Sequence, residues 1–329
     1  MRFLVFISIT SIIVSCGLTC LYLSWARRRS ILDRPNERSS HAIPTPRGGG
    51  VAIIVSFYLM LIILFYEGLI ESKLFFALLP GLGIAAIGFI DDLKSLSPLL
   101  RLLSQILFAT GALIILGGLN LSEGGNSSVL WFALTVFGMV WFINLYNFMD
   151  GADGYASMEA IFVALAFYIF TKTEVTILLA CAIVGFLFWN WPKAKVFMGD
   201  VGSTTLGFIL IVIGIYFHNQ TTIEIYYFLI LTSLFWFDAT LTILRRAIKR
   251  EKLTTAHNKH LYQILIRSGY SHIHTLFLGL TINLALLIIC ILLNRDVIPI
   301  PGAFTAVVVL FLIYDRFVHY VYRGRQYDI

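Results

Sequence analysis

The stretch Asn144-Leu145-Tyr146-Asn147-Phe148-Met149-Asp150-Gly151-Ala152-Asp153-Gly154 decides how the rest of the chain is read. The apolar run 129–147 closes in it, so a membrane-like segment ends on two amides and two carboxylates. On a helix, Asn144 and Asn147 stand one turn apart on the same face. Gly151 allows the chain to turn, and Asp150 and Asp153 follow at the water boundary. Carboxylates are costly inside lipid, so their gathering at a helix end points to ion or substrate binding. The plainer alternative is a capped helix end, which needs only one such side chain.

Composition supports a membrane setting for this segment. The 329 residues are 59% hydrophobic and 13% charged, about half the charge of an ordinary soluble chain. The expected fold class is all-α: a polytopic integral membrane protein, one helical body over residues 1–329 without a soluble domain. Cys16, Cys20, Cys181 and Cys290 all lie in apolar stretches and read as small buried hydrophobes, not as a disulfide or metal framework.

Residues 3–25 form an apolar run that ends at Trp25 and Arg27–Arg29, a retained span with a stop-transfer cluster. Further spans are expected near 51–66, 74–90, 99–119, 129–147, 156–171, 176–190, 204–218, 224–244, 273–293 and 300–321, about eleven transmembrane helices in all. Pro80-Gly81 predicts a kink in the third. The polar runs near 120–128 and 219–223 read as loops. Basic residues set the orientation. With the N-terminus periplasmic and the C-terminus cytoplasmic, the inner side receives Arg27–Arg29, Arg34, Arg38, Arg47, Lys94 and the cluster Arg245–Lys252, and the outer side only Arg2, Lys73, Lys172 and Arg295.

In that orientation every polar motif falls on one side. A transporter of an anionic metabolite, the competing class, would place its key groups near the midplane on broken helices. Asp91-Asp92 closes the third span; adjacent helical residues point about 100° apart, and Lys94 is a ready partner for one of them. Phe197-Met198-Gly199-Asp200-Val201-Gly202-Ser203 precedes the eighth span, with a helix N-terminus and glycines suited to an anion. Asp200 either caps that helix through Ser203 or Thr204 or holds Mg²⁺, which takes one or two carboxylates plus substrate phosphates. His41 to Gly50, with Pro44, Pro46, Arg47 and three glycines, is a stiff basic approach to the second span. His257 and His260 share a helical face, and Asp238 lies within reach of Arg245 two turns on. His272 and His274 read as boundary residues.

Together these motifs resemble the polyprenyl-phosphate N-acetylhexosamine-1-phosphate transferases, in glycosyltransferase family 4. The likeness is greater to the branch that initiates O-antigen and related surface glycans than to the peptidoglycan branch that transfers phospho-MurNAc-pentapeptide. Pro44–Gly50, Asp91-Asp92, Asn144–Gly154 and Phe197–Ser203 match in order. The resemblance implies transfer of an N-acetylhexosamine 1-phosphate from a UDP-sugar to undecaprenyl phosphate with release of UMP, Mg²⁺ (or Mn²⁺) as cofactor, and a place in the bacterial inner membrane with the active site facing the cytoplasm. Its partners would be the two substrates and membrane lipids, without nucleic acid; a homodimer is compatible with it. It assigns catalysis to Asp91, Asp92 and Asp200, with Asp91 as proton acceptor. Metal binding falls to Asp200, Asp92 and Asp150. Substrate binding falls to His41, Arg47, Asn144, Asn147, Asp150, Asp153, Phe197, His257 and His260, with Phe197 stacking on uracil and Asp153 bonding to it. One departure stands out. The run His257-Asn258-Lys259-His260-Leu261-Tyr262-Gln263 keeps one histidine position of the family, with Tyr262 and Gln263 where relatives carry histidines, and this loop is linked to choice of donor sugar. The net charge of +6 suits anionic substrates.

Overall fold

The computed structural model describes residues 2–35, 43–120, 128–220, 222–252, 255 and 257–326. Arg38, His41 and most of the expected loop at 120–128 lie outside the described residues. In chain order the elements are α1 (Arg2–Arg28), β1 (Leu32–Asp33), β2 (Thr45–Pro46), α2 (Val51–Tyr66), α3 (Ser72–Leu78), α4 (Pro80–Lys94), α5 (Pro98–Leu116), α6 (Val129–Phe148), α7 (Tyr155–Thr171), α8 (Glu174–Asn190), α9 (Gly199–Asn219), α10 (Ile225–Leu231), α11 (Ser233–Ile248), α12 (Leu261–Arg267), α13 (His272–Asn294) and α14 (Ile300–Gln326). The two short strands pair antiparallel, Leu32 against Pro46.

Among the described residues seven helices are long and apolar enough to cross a membrane, or eight if the bent pair α10–α11 is one span. The protein is a polytopic membrane protein. The expectation of about eleven spans also needs α2, α7 and α8, which are apolar but only 16 or 17 residues long. At 1.5 Å per residue they reach about 25 Å, short of a hydrocarbon core of about 30 Å.

Two spans are interrupted, one as expected and one not. α3 stops at Leu78 and α4 starts at Pro80, because proline cannot donate to the helix ladder. The Leu78 carbonyl is taken up by the Tyr58 hydroxyl at 2.6 Å. The ninth apolar segment, expected to be continuous, breaks at Thr232 into α10 and α11, bent by 73°. Side chains hold the carbonyls around the break: Thr232 Oγ1 donates to Phe228 O at 2.7 Å, Ser233 Oγ to Ile230 O at 2.6 Å, and Trp236 Nε1 to Leu229 O at 2.8 Å. Such back-bonding by Ser and Thr accompanies helix bends.

α9 is the centre of the bundle, buried along its whole apolar window, with α4 and α6 packed along it. Its N-terminus can come close to α4 because Gly88 has no side chain; a Cβ there would stand 2.8 Å from the backbone of Asp200 and Val201. α7 and α13 are joined by a different device. Asn283 Nδ2 donates to Glu159 Oε2 at 2.6 Å, with both residues almost wholly buried.

Candidate active site

Four chain segments meet at one end of the helix bundle. The glycine run forms a seam with the start of α9: Gly49 N donates to Phe197 O at 3.0 Å, Gly50 N to Met198 O at 2.8 Å, and Phe197 N to Pro46 O at 2.8 Å. A Cβ on Gly50 would collide with the backbone of Gly202. This is the physical reason for three glycines, which a basic anchor alone does not require.

Asp92, at the end of α4, binds the N-terminus of α9. Its Oδ1 accepts from Asp200 N and its Oδ2 from Val201 N, both at 3.1 Å, so a carboxylate from another helix fills the place of an N-cap and favours the positive end of the helix dipole. Arg47 Nε donates to Asp92 O at 2.9 Å. Asp200 does not cap α9 through its own side chain. Its Oδ1 accepts from Asn147 Nδ2 at 2.9 Å and its Oδ2 from Arg101 at 3.1 Å, while Asn147 Nδ2 also reaches Ser203 Oγ at 2.8 Å.

Arg101, in the first turns of α5, also contacts Asp91 Oδ2 at 3.1 Å. Asp91 Oδ1 accepts from Leu96 N at 2.5 Å. The alternative of Lys94 as partner for one of the two acids is not what the structure shows: Asp91 pairs with Arg101, and Lys94 is exposed. Arg101 is a site residue that the motif reading missed. A signal was present, since an arginine within an apolar span is a functional candidate by default.

Asp153 Oδ2 accepts from Ala194 N at 3.1 Å and lies 3.1 Å from His272 Nδ1. His272, set aside as a boundary residue, is thus part of the site. Asn190 ties the same corner together: its Oδ1 accepts from Gly154 N and Ser157 Oγ, and its Nδ2 donates to Val196 O.

These groups surround a cavity of about 270 Å³ lined by Asp33, Arg47, Asp92, Asn147, Asp150, Gly151, Ala152, Asp153, Asn190, Phe197, Gly199, Asp200 and Gln263. Five of the lining side chains are carboxylates and one is a guanidinium. Burial first, then Asp200, Asp92 and Asp153, push the Asp150 carboxyl well above the usual range, as expected for an acid taken out of water beside other acids.

The remaining predicted residues lie elsewhere. Asp91 stands behind Arg101 with both oxygens engaged. Asn144 turns toward α5, where its Nδ2 donates to Gln105 Oε1 at 2.6 Å. His260 is buried beside Asp238, its Nδ1 3.6 Å from Oδ1. His257 packs against His260 and is held down to about 4 by burial and then by His260, Arg246 and Lys259, so it is neutral at neutral pH and brings no charge to a phosphate. Asp238 does not pair with Arg245, which binds Asp315 in a two-point bridge at 2.7 and 2.9 Å; instead both Asp238 oxygens accept from Leu261 N.

The carboxylate oxygens are the right donor set for a hard divalent cation, and the crowding around Asp150 favours one. Among the described residues, however, no three acidic, histidine or cysteine groups converge as a ready-made metal cage. The fit is to an ion shared with substrate phosphates, as Mg²⁺ is commonly held, and not to a closed site made by Asp92, Asp150 and Asp200 alone.

The membrane helices thus enclose an acid-lined cavity at one end of the bundle. Residues 74–218 match the family described as glycosyl transferase family 4. The chain is 28% identical over 282 residues to a probable undecaprenyl-phosphate N-acetylglucosaminyl 1-phosphate transferase of Bacillus subtilis, covering 80% of this chain and 77% of the relative. It is 29% identical to the undecaprenyl-phosphate alpha-N-acetylglucosaminyl 1-phosphate transferase of Thermotoga maritima, covering 78% and 79%. A phospho-N-acetylmuramoyl-pentapeptide-transferase of Streptococcus suis is 32% identical but over 54% of this chain and 61% of its own length.

Proposed function

We propose that the protein transfers an N-acetylhexosamine 1-phosphate from a UDP-sugar to undecaprenyl phosphate and releases UMP, as the first step of O-antigen or a related surface glycan, in the bacterial inner membrane with the cavity facing the cytoplasm. The observation that carries this reading is the cavity itself: five carboxylates and one arginine around a space walled by backbone amides, at one end of a membrane bundle. The relatives' names supply the substrates, and the broader coverage of the N-acetylglucosaminyl enzymes favours them over the muramoyl-pentapeptide branch. The positive-inside distribution of Arg27–Arg29 and Arg245–Lys252 supports the orientation and, with α2, α7 and α8 counted as short spans, an eleven-span topology.

The chemistry is a displacement at the sugar-linked phosphorus. An oxygen of the lipid phosphate forms the new P–O bond, the bond to the bridging oxygen breaks, and UMP leaves with that oxygen. Asp200, Asp92 and Asp150 would hold Mg²⁺, which would supply positive charge that lets two anions approach. Arg47 adds a fixed cation to the same wall. Arg101 holds Asp200 in place, and Asp91 holds Arg101. The acceptor phosphate, with a second pKa of about 6, is already largely dianionic at neutral pH. It therefore attacks directly, and the engaged Asp91 carboxylate acts as a positioning group with no need to take a proton. Phe197 and Asp153 bind uracil at the far end. The reading is tested by incubating purified protein with undecaprenyl phosphate, Mg²⁺ and single UDP-sugars. UMP release that needs both lipid and metal is expected with an N-acetylated donor; release with UDP-MurNAc-pentapeptide alone would move the protein to the other branch, and a phosphosugar trapped on protein without lipid would replace direct attack by a covalent route.

A further inference from the structure

Tyr22 lies near the C-terminal end of α1. A tyrosine at the edge of a membrane span ordinarily belongs to the aromatic belt, with its hydroxyl among the lipid headgroups. Trp25, 39% exposed, fits that description; Tyr22, 8% exposed, does not. Its ring packs on Trp25 and on Phe89 of α4, at 5.5 and 6.4 Å between centroids. Its hydroxyl points into the protein and donates to Arg47 O at 2.6 Å. A buried tyrosine hydroxyl needs a partner, and this partner belongs to the wall of the cavity.

The seam with the start of α9 holds the chain on both sides of Arg47, since Pro46 O and Gly49 N are both bonded to Phe197. Between those two points the chain turns through Gly48 at a φ of +87°, in the left-handed region. A glycine there resists rotation least, so the seam alone leaves the Arg47–Gly48 peptide loosely held. Tyr22 supplies the missing restraint: it binds the carbonyl of that peptide, and its hydroxyl stands where a Cβ on Gly48 would collide with it. The Arg47 side chain starts from this peptide, gives Nε to Asp92 O at 2.9 Å, and lines the cavity. Among the described residues its Nη atoms make no hydrogen bond, which leaves them for a ligand. The worth of such a cation depends on where it points, because fixed charge acts by being in place before the anion arrives. We propose that Tyr22 is a positioning residue: by fixing the Arg47–Gly48 peptide it aims the Arg47 guanidinium at the diphosphate of the bound nucleotide sugar. This rests on the transferase reading above.

Tyr22→Phe keeps the ring between Trp25 and Phe89 and removes only the hydroxyl. The test is a double-mutant cycle of Tyr22→Phe with Arg47→Gln, read in UDP affinity by calorimetry on protein in detergent with Mg²⁺, and in the KM for undecaprenyl phosphate. Tyr22→Phe alone is expected to weaken UDP binding by about fivefold, the worth of one neutral hydrogen bond, with the lipid KM unchanged. In the Arg47→Gln background it is expected to change nothing further, because the group it aims is gone. Should Arg47→Gln bind UDP too weakly to measure, Arg47→Lys serves as the second background: it keeps the charge but loses the fork, and the effect of Tyr22→Phe should shrink there too. UDP affinity within about twofold of wild type in Tyr22→Phe, a loss of the same size in both backgrounds, or a raised lipid KM with UDP affinity intact would each overturn the proposal and leave Tyr22 as a packing residue. Wild type that binds UDP but releases no UMP from any UDP-sugar would defeat the transferase reading alone, and the cycle in UDP affinity would still decide on Tyr22; wild type that does not bind UDP would defeat both.

Discussion

Two of the places where the described residues hold acids away from water are built differently. Glu159 on α7 meets one amide, Asn283 on α13, with no cavity and no second acid in the contact. At the cavity, Asp92, Asp150 and Asp200 come from three different segments, share one space, and are met by Arg47, Arg101 and the N-terminus of α9. Both arrangements satisfy the rule that a polar group taken out of water needs a partner. Only the second leaves space between the partners. A lone buried acid paired with an amide is a joint between helices; acids converging on a space from separate elements make a place for something else.

Substitutions can break that contrast. Asp200→Asn should cost the most, about 10³-fold in UMP release, since it removes charge from the centre of the cavity while keeping the shape; turnover close to wild type at saturating Mg²⁺ would put the metal elsewhere. Arg101→Ala should lower kcat by about 10²-fold, and Arg101→Lys should recover part of it, because one nitrogen, Nη1, makes both carboxylate contacts and an ammonium can supply that charge. Equal losses in both would mean that the placement of the guanidinium is the whole effect. Asp153→Ala is expected to weaken UDP binding by about tenfold, the scale of a charged hydrogen bond, with the lipid KM unchanged; a matching rise in the lipid KM would show that the corner has collapsed. Glu159→Gln should stay within about threefold of wild-type activity, because a side-chain amide can still accept from Asn283 Nδ2. If it costs as much as Arg101→Ala, the distinction between joint and site is wrong.

The smallest effect concerns His257. Unfolded, it takes a proton near 6.5, and folded only near 4, so the unfolded chain binds more protons between these values. Stability is therefore full above about 6.5 and falls as pH drops toward 4. His257→Asn should narrow the difference in melting temperature between pH 7 and pH 5; an unchanged difference would show that His257 does not titrate in this window.

The motifs were legible where chemistry and chain position coincide. Asn147, Asp150, Asp153 and Asp200 sit at span ends, carry groups that lipid disfavours, and all line the cavity. The all-helical fold followed from apolar run lengths for the same reason. What periodicity could not supply was direction across elements. Asp91 and Asp92 are adjacent, yet one faces Arg101 and the other the α9 amides, because α4 has only one face toward α9. Asn144 and Asn147 share a helical face, but three residues are enough to turn one toward Gln105 and the other toward Asp200. His272 and Asn190 had no motif around them, and their contacts with the Asp153 corner arise from pairings dozens of residues apart. The break at Thr232 was hidden because Thr and Ser are tolerated in straight apolar helices as well.

The seam between Gly48–Gly50 and Phe197–Gly202 has a consequence for how such an enzyme can change. Main chain packed against main chain admits no side chain: one at Gly50 would collide with the backbone of Gly202, so substitution there would part the two segments. Variation in what the cavity meets would have to be written on its lining side chains, among them Arg47, Phe197 and Gln263.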